Sequence, residues 1–283
     1  VKTLALVGKK GKPEAADLAR EIRQRHPTLN VRADRTLAEA LGWEVAESDR
    51  TMVSSADLVI VLGGDGTMIH AARLVAGRNV PILGVNLGGL GFMTEVSRAD
   101  LFPALDDVLA GRFKTDARMK LSCRLWRAGK VMVEDEVLNE VVLNKGAPAR
   151  IAAHEASIDG EYVTTYYSDG VVISTPTGST AYSLSAGGPI VHPGIDGVIL
   201  APICSHALTQ RPLIVPADRT ISIELRADVA DVYLTLDGQS GHALRSGDRV
   251  EVQRSPNRVH LVRNPKLGYF GVLRQKLHWG ERG

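Results

Sequence analysis

Leu62-Gly63-Gly64-Asp65-Gly66-Thr67 is the stretch on which the reading of the chain turns. Ahead of it runs Ala56-Asp57-Leu58-Val59-Ile60-Val61-Leu62, apolar and rich in branched side chains. Such a run, closed by glycines, predicts a strand buried on both faces. Behind it, Thr67-Met68-Ile69-His70-Ala71-Ala72-Arg73-Leu74-Val75 carries apolar residues at helical spacing. A carboxylate therefore stands at a strand-to-helix turn, between Gly64 and Gly66. Glycines there admit left-handed dihedrals and a closely approaching ligand, and the helix start offers N–H groups suited to phosphate. An acid in such a loop either caps the helix, or acts on a hydroxyl beside the phosphate, or on a metal that bridges it. Neither the Walker spacing with its Lys nor the dinucleotide G-x-G-x-x-G is present.

On either side of this loop, residues 1 to about 112 alternate between strand and helix. Thr3–Gly8 reads as the first strand, Pro13 to about Arg25 as a helix with Pro at its first position, and Leu58–Leu62 as the next strand. Pro81-Ile82-Leu83-Gly84-Val85-Asn86 is another buried strand, ending in a second glycine-rich turn, Leu87-Gly88-Gly89-Leu90-Gly91-Phe92. Leu101, Phe102, Leu105, Val108 and Leu109 recur at helical spacing. Strands separated by helices predict a doubly wound, mostly parallel α/β sheet with ligands at the carboxyl ends of its strands.

From about Thr115 the rhythm changes to hairpins. Lys120–Arg127 turns at Ala128-Gly129, and Arg150–Ile158 turns at Asp159-Gly160, a strong hairpin signal. Thr220–Arg226, Val232–Leu236, Arg249–Gln253 and Arg258–Val262 read as further short strands. This predicts an α/β domain over residues 1–117 and a mostly β domain over 118–263.

Three other groups carry candidate chemistry. Asn139 and Glu140 are adjacent, so on a regular strand they point to opposite faces; both reach one ligand if the strand ends there. Asp169-Gly170 precedes an apolar strand and reads either as a turn or as an acceptor for a ligand amide. Thr175 to Ser185 is dense in hydroxyls, with Leu184 its one large apolar anchor, which predicts contact with something polar. His70, His192 and His206 show no metal-ligand spacing and read as structural. Lys9, Lys10 and Lys12 follow a strand, where they read as a solvated face or as a face toward polyphosphate.

Gly63-Gly64-Asp65-Gly66-Thr67 resembles the signature of NAD kinases, of diacylglycerol and sphingoid-lipid kinases and, with Ser for Thr, of 6-phosphofructokinases. Leu138-Asn139-Glu140-Val141-Val142-Leu143 and the long stretch from Asp169 to Pro189, in that order, narrow the resemblance to the bacterial NAD kinases that use ATP or polyphosphate. It spans about Asp57 to Val252. The resemblance implies that Asp65 is the catalytic base toward the 2′-hydroxyl of the adenosine ribose. It implies that Gly64, Gly66 and Thr67 shape a phosphate pocket and that Mg²⁺ accompanies the donor. By the same resemblance Asn139 and Glu140 meet the ribose and nicotinamide regions, and Asp169 meets the nicotinamide carboxamide. Thr180, Ala181, Tyr182 and Ser185 become dinucleotide contacts, and Gln239 lies near a second nucleotide. Arg150 and Tyr167 fall where relatives vary and receive no role. The resemblance further implies that residues 264–283 return to the first domain, and that the protein is a homodimer or homotetramer. The alternatives are a lipid kinase sharing the glycine loop and a non-catalytic NAD-binding sensor.

Composition narrows the class. The 283 residues are 44% hydrophobic and 23% charged, with a net charge of +2, the balance of a globular protein with no nucleic-acid footprint. Apolar runs are far shorter than the roughly 20 residues of a membrane helix. The opening residues read as a strand rather than a signal peptide, and Cys123 and Cys204, far apart, read as reduced thiols of a cytoplasmic protein.

Overall fold

Residues 1–45, 48–75, 77–146, 152–207, 209–226 and 231–280 are described by a computed structural model. Arg150 lies outside the described residues. The chain forms two units, Val1–Ala117 with Val259–Gly283, and Arg118–Arg258.

In the first unit the elements alternate as strand and helix: β1 (Thr3–Gly8), α1 (Pro13–Arg25), β2 (Asn30–Ala33), α2 (Arg35–Leu41), α3 (Asp49–Ser54), β3 (Leu58–Gly63), α4 (Asp65–Leu74), β4 (Pro81–Asn86), β5 (Val96–Ser97) and α5 (Leu101–Leu109). The sheet runs β4-β3-β1-β2, parallel throughout. Every residue of β3 is buried, as helices on both faces require. Ala15, Leu18, Ala19 and Ile22 give α1 its inward stripe, which joins Leu4, Leu6, Leu58, Ile60, Leu62 and Leu83 in one core. The register sets Gly8 beside Leu62 and Gly63 beside Asn86, so the carboxyl ends of β1, β3 and β4 are level. The loops that follow β3 and β4 therefore leave the sheet side by side. Asn30–Ala33 escaped the sequence reading because only one of its faces is apolar.

The second unit is built from β6 (Thr115–Arg127, entering from the first unit), β7 (Lys130–Val137), β8 (Glu140–Lys145), β9 (Ala152–Ile158), β10 (Glu161–Ser168) and β11 (Gly170–Ser174). A 3₁₀ turn (Gly178–Thr180) and the one-turn α6 (Tyr182–Ser185) follow. Then come β12 (Gly197–Ile203), β13 (Leu213–Pro216), β14 (Ile221–Leu225), β15 (Val232–Leu236), β16 (Ser240–Leu244) and β17 (Arg249–Val262), and α7 (Tyr269–Leu277) closes the chain in the first unit. One antiparallel sheet has the order β13-β12-β11-β8-β15-β16. Strands β10, β9, β14 and β17 form a second antiparallel ladder, with β6 paired to β17 and β7 paired to β6. Their inner faces share a core that includes Leu121, Leu143, Ala156, Ile173, Ile223 and Leu234.

Two expectations change. Arg249–Gln253 and Arg258–Val262 are not separate strands but one, β17. β17 pairs with β14 over Arg249–Val252 and with β4 at His260 and Leu261, and Pro256 lies between those two ladders. The chain re-enters the first unit at Val259, before Asn264.

Candidate active site

In the first unit the glycine loop is built by the register of β3 and β4. Gly64 is the N-cap of α4 and Asp65 its first residue, so Asp65 does not cap the helix through its side chain. Its carboxylate reaches the turn after β4 instead. Oδ2 accepts the Phe92 N–H at 2.7 Å, and Oδ1 accepts the N–H groups of Met93 at 3.1 Å and Thr94 at 3.2 Å and the Thr94 hydroxyl at 3.2 Å. Asn86 shapes that turn, donating to Gly89 O at 2.6 Å and accepting from Gly88 N at 2.6 Å. The two glycine-rich turns are thus one structure held by a carboxylate.

The glycines serve by lacking a side chain rather than by left-handed dihedrals. None of Gly63, Gly64 and Gly66 has a positive φ, which corrects the sequence expectation. A Cβ on Gly63 would stand 2.4 Å from the Thr67 hydroxyl, and one on Gly91 would stand 2.3 Å from Asp65 Oδ1. Gly64 and Gly66 face open space, the condition for a ligand to lie against the backbone. Lys9 follows β1, and its N–H donates to Leu62 O at 3.0 Å, which sets it beside this loop.

In the second unit the site grows from the start of β8. Asn139 and Glu140 are both buried, and Asn139 Oδ1 and Glu140 Oε2 have no hydrogen-bond partner. Their backbone is held from two sides. Asp237 accepts the N–H groups of Leu138 (2.8 Å), Asn139 (2.8 Å) and Glu140 (3.0 Å). From the end of β11, the Thr175 hydroxyl donates to Leu138 O at 2.6 Å, and the Thr175 N–H donates to Asn139 O at 2.8 Å. The strand starts at this point, which is how two adjacent residues both keep buried polar atoms here.

Burial, reinforced by the negative charge of Asp237, pushes the Glu140 carboxyl up to about 8 against the opposing hydrogen bond from the Tyr182 backbone. With that value Glu140 is mostly neutral near pH 7 and presents an O–H donor as well as an acceptor.

The hydroxyls of Thr175–Ser185 divide by role. Thr175 and Ser179 donate to backbone carbonyls, as does Thr180 at 3.4 Å, and Ser179 Oγ also accepts the Val191 N–H at 3.0 Å. Those three hydroxyls serve the segment's own backbone. Ser183 is the exception, buried with its Oγ unpartnered. Tyr182 is 40% exposed, and Ala181 and Ser185 flank it on the same short segment.

Asp169 stands apart from this cluster. Ser174 pairs with Glu140, whereas Gly170 pairs with Asn144, so Asp169 lies roughly 17 Å along β11 from the Glu140 end. There it pairs with Lys145 at 2.9 Å. Gln239 is exposed in the turn after β15, its N–H donating to Leu236 O at 2.9 Å. Sequence reasoning passed over Asp237 as a turn residue. Its one sequence signal, Asp before Gly, is the ordinary sign of a hairpin, and φ is indeed +52° there.

Residues 9–113 match the ATP-NAD kinase N-terminal domain, and residues 138–264 match the ATP-NAD kinase C-terminal domain. The chain belongs to the NAD kinase family. An NAD kinase of Syntrophotalea carbinolica is 48% identical to it over 285 residues, covering 100% of both chains. An NAD kinase of Geotalea daltonii is 45% identical over 284 residues, again covering 100% of both. Among solved structures, yeast NADH kinase complexed with NADH superposes with a TM-score of 0.91 at 25% identity, covering 100% of this chain and 89% of that one. An NAD kinase from Archaeoglobus fulgidus in complex with ATP has the same fold, with a TM-score of 0.77 at 23% identity and 98% of each chain covered. Membership of the NAD kinase family makes the chain a phosphotransferase and decides against the lipid-kinase and sensor readings.

Proposed function

We propose that the enzyme moves the terminal phosphoryl group of ATP, or of inorganic polyphosphate, to the 2′-hydroxyl of the adenosine ribose of NAD. The observation that carries this reading is the buried, unpartnered pair Asn139 Oδ1 and Glu140 Oε2. Buried polar atoms without partners are rare in a folded chain, and a ribose or amide edge satisfies them. The NADH held by the yeast relative supports a dinucleotide as the ligand. Thr180, Ala181, Tyr182 and Ser185 extend the same ligand surface. Asp169 serves the far, nicotinamide end of the ligand, and Gln239 meets a second nucleotide.

Asp65 is the base in this reading. Its Oδ1 is occupied by three donors, but Oδ2 accepts one N–H and keeps a lone pair for a hydroxyl. General base catalysis contributes about 10²–10⁴-fold; alignment and charge stabilisation supply the rest. Gly64, Gly66 and Thr67 receive donor phosphates against open backbone, and Lys9 supplies positive charge beside them. Among the described residues no group of three His, Cys, Asp or Glu side chains is placed to hold a metal. In this reading a Mg²⁺ would be carried mainly by the donor's phosphates and water, and Asp65 is the carboxylate the loop would offer it. When bound, Mg²⁺ neutralises charge on the phosphoryl group.

A donor-by-acceptor assay tests the proposal. NAD or NADH is combined with ATP or polyphosphate and Mg²⁺, and the 2′-phosphorylated product is followed with an NADP-specific coupled enzyme. Product from NAD and ATP is expected. Saturable NAD binding without product from any donor would overturn the reaction. The reading also includes a cytoplasmic protein that self-associates as a homodimer or homotetramer.

A further inference from the structure

Asp237 does not belong to any stretch that the sequence marked as a site, yet three backbone N–H groups converge on its carboxylate. They belong to Leu138, Asn139 and Glu140. The contact is reciprocal, because the Asp237 N–H donates to Glu140 O at 3.0 Å. Asp237 is 6% exposed and sits in the left-handed region at the turn between β15 and β16. An ionised acceptor makes hydrogen bonds roughly twice as strong as a neutral one, so a buried carboxylate taking three N–H groups is a firm clamp. The opposite side of the same backbone is closed by Thr175 and by Gly178, whose Cβ, if it had one, would stand 2.4 Å from Asn139 O. The side-chain atoms left free by this double clamp are Asn139 Oδ1 and Glu140 Oε2.

We infer that Asp237 is a positioning residue of the dinucleotide site, which fixes the backbone of Asn139 and Glu140 so that their side-chain oxygens stay aimed at the ligand. The inference rests on the reading that Asn139 and Glu140 bind NAD. Asp237 touches the chain and not the ligand. Its removal therefore acts on NAD affinity and leaves the donor's affinity alone.

The experiment uses the full-length enzyme with ATP, Mg²⁺ and NAD. Asp237→Asn is the variant of choice, because Asn tolerates the left-handed backbone that other side chains resist, while its amide NH₂ faces N–H donors and its charge is gone. The expected result is a rise in KM for NAD of at least tenfold, with KM for ATP changed less than threefold. Leu234→Ala, in the buried core of β15, is the stability control; it lowers Tm and leaves KM for NAD within threefold. Thr175→Val removes the hydroxyl's hydrogen bond to Leu138 O at similar side-chain size, leaving the Thr175 N–H bond in place, and is expected to raise KM for NAD several-fold, which keeps the test usable if Asp237→Asn does not fold. Asn139→Ala separates the inference from the reading beneath it. If Asn139→Ala raises KM for NAD and neither clamp variant does, the positioning role is overturned and the site stands. If Asn139→Ala also leaves KM for NAD unchanged, the site itself is overturned. An equal rise in KM for NAD with Leu234→Ala would reduce Asp237 to a structural residue.

Discussion

Replacing Glu140 by Gln should make the second unit more stable at alkaline pH and leave it nearly unchanged in acid. The carboxyl is pushed from its ordinary 4.5 up to about 8 by burial and by the charge of Asp237. A carboxyl whose pKa rises on folding holds its proton more tightly in the fold than in the unfolded chain. Its favourable contribution is complete below the unfolded value near 4.5 and is lost as pH rises through the folded value near 8. At about 1.4 kcal/mol for each pH unit between the two values, the loss totals about 5 kcal/mol. Gln keeps the shape and carries no titrating proton. The stability of Glu140→Gln relative to the parent is therefore expected to rise by about 4 kcal/mol between about pH 5 and pH 8.5. The assay is urea denaturation at several pH values, followed by Trp126 fluorescence in a Trp43→Phe, Trp279→Phe background. Trp126 lies in β6 of the same unit. A difference that stays constant within about 1 kcal/mol across that range would show an ionised Glu140 in the fold and refute the argument. Asp237→Asn should shrink the same pH dependence, because one of its two causes is removed.

Three further outcomes are expected. His154 is fully buried with both ring nitrogens unpartnered, and burial lowers its pKa to about 4. A histidine kept neutral by the fold contributes fully above its unfolded value near 6.5 and loses that contribution as pH falls toward 4, about 3 kcal/mol in all; His154→Leu should flatten the acid limb of a stability-against-pH curve. Asp65→Asn should lower kcat by at least about 10²-fold while calorimetry still detects NAD binding; near-normal kcat would remove Asp65 from the chemistry. Sedimentation at micromolar concentration should give a dimer or tetramer, and a monomer alone would count against self-association.

Much of the fold is local in origin and so was legible. Strands such as Thr3–Gly8 and Pro81–Asn86 are continuous apolar runs, and the hairpin at Asp159-Gly160 carries its own turn chemistry, with φ of +51° and +82°. Those signals survive because sheet faces and turns are decided over a few residues. Asn30–Ala33 and the continuity of β17 through Pro256 depended on partners far away in the chain, which a local pattern does not contain.

The site divides along the same line. By itself the sequence determined the two glycine-rich turns, the Asn139-Glu140 pair and the hydroxyl-rich segment, because each is a concentration of residue types that a packed core does not call for. Only the tertiary structure decided what those residues do with their polar atoms. It set the oxygens of Asp65 against the N–H groups of Phe92, Met93 and Thr94, with one lone pair of Oδ2 left over. It turned the hydroxyls of Thr175 and Ser179 onto backbone carbonyls. It brought Asp237, far along the chain, beneath Asn139 and Glu140. The physical reason is that a hydrogen bond is satisfied by whatever lies within about 3 Å, and in a folded sheet that neighbour is set by strand pairing and register, not by distance along the chain.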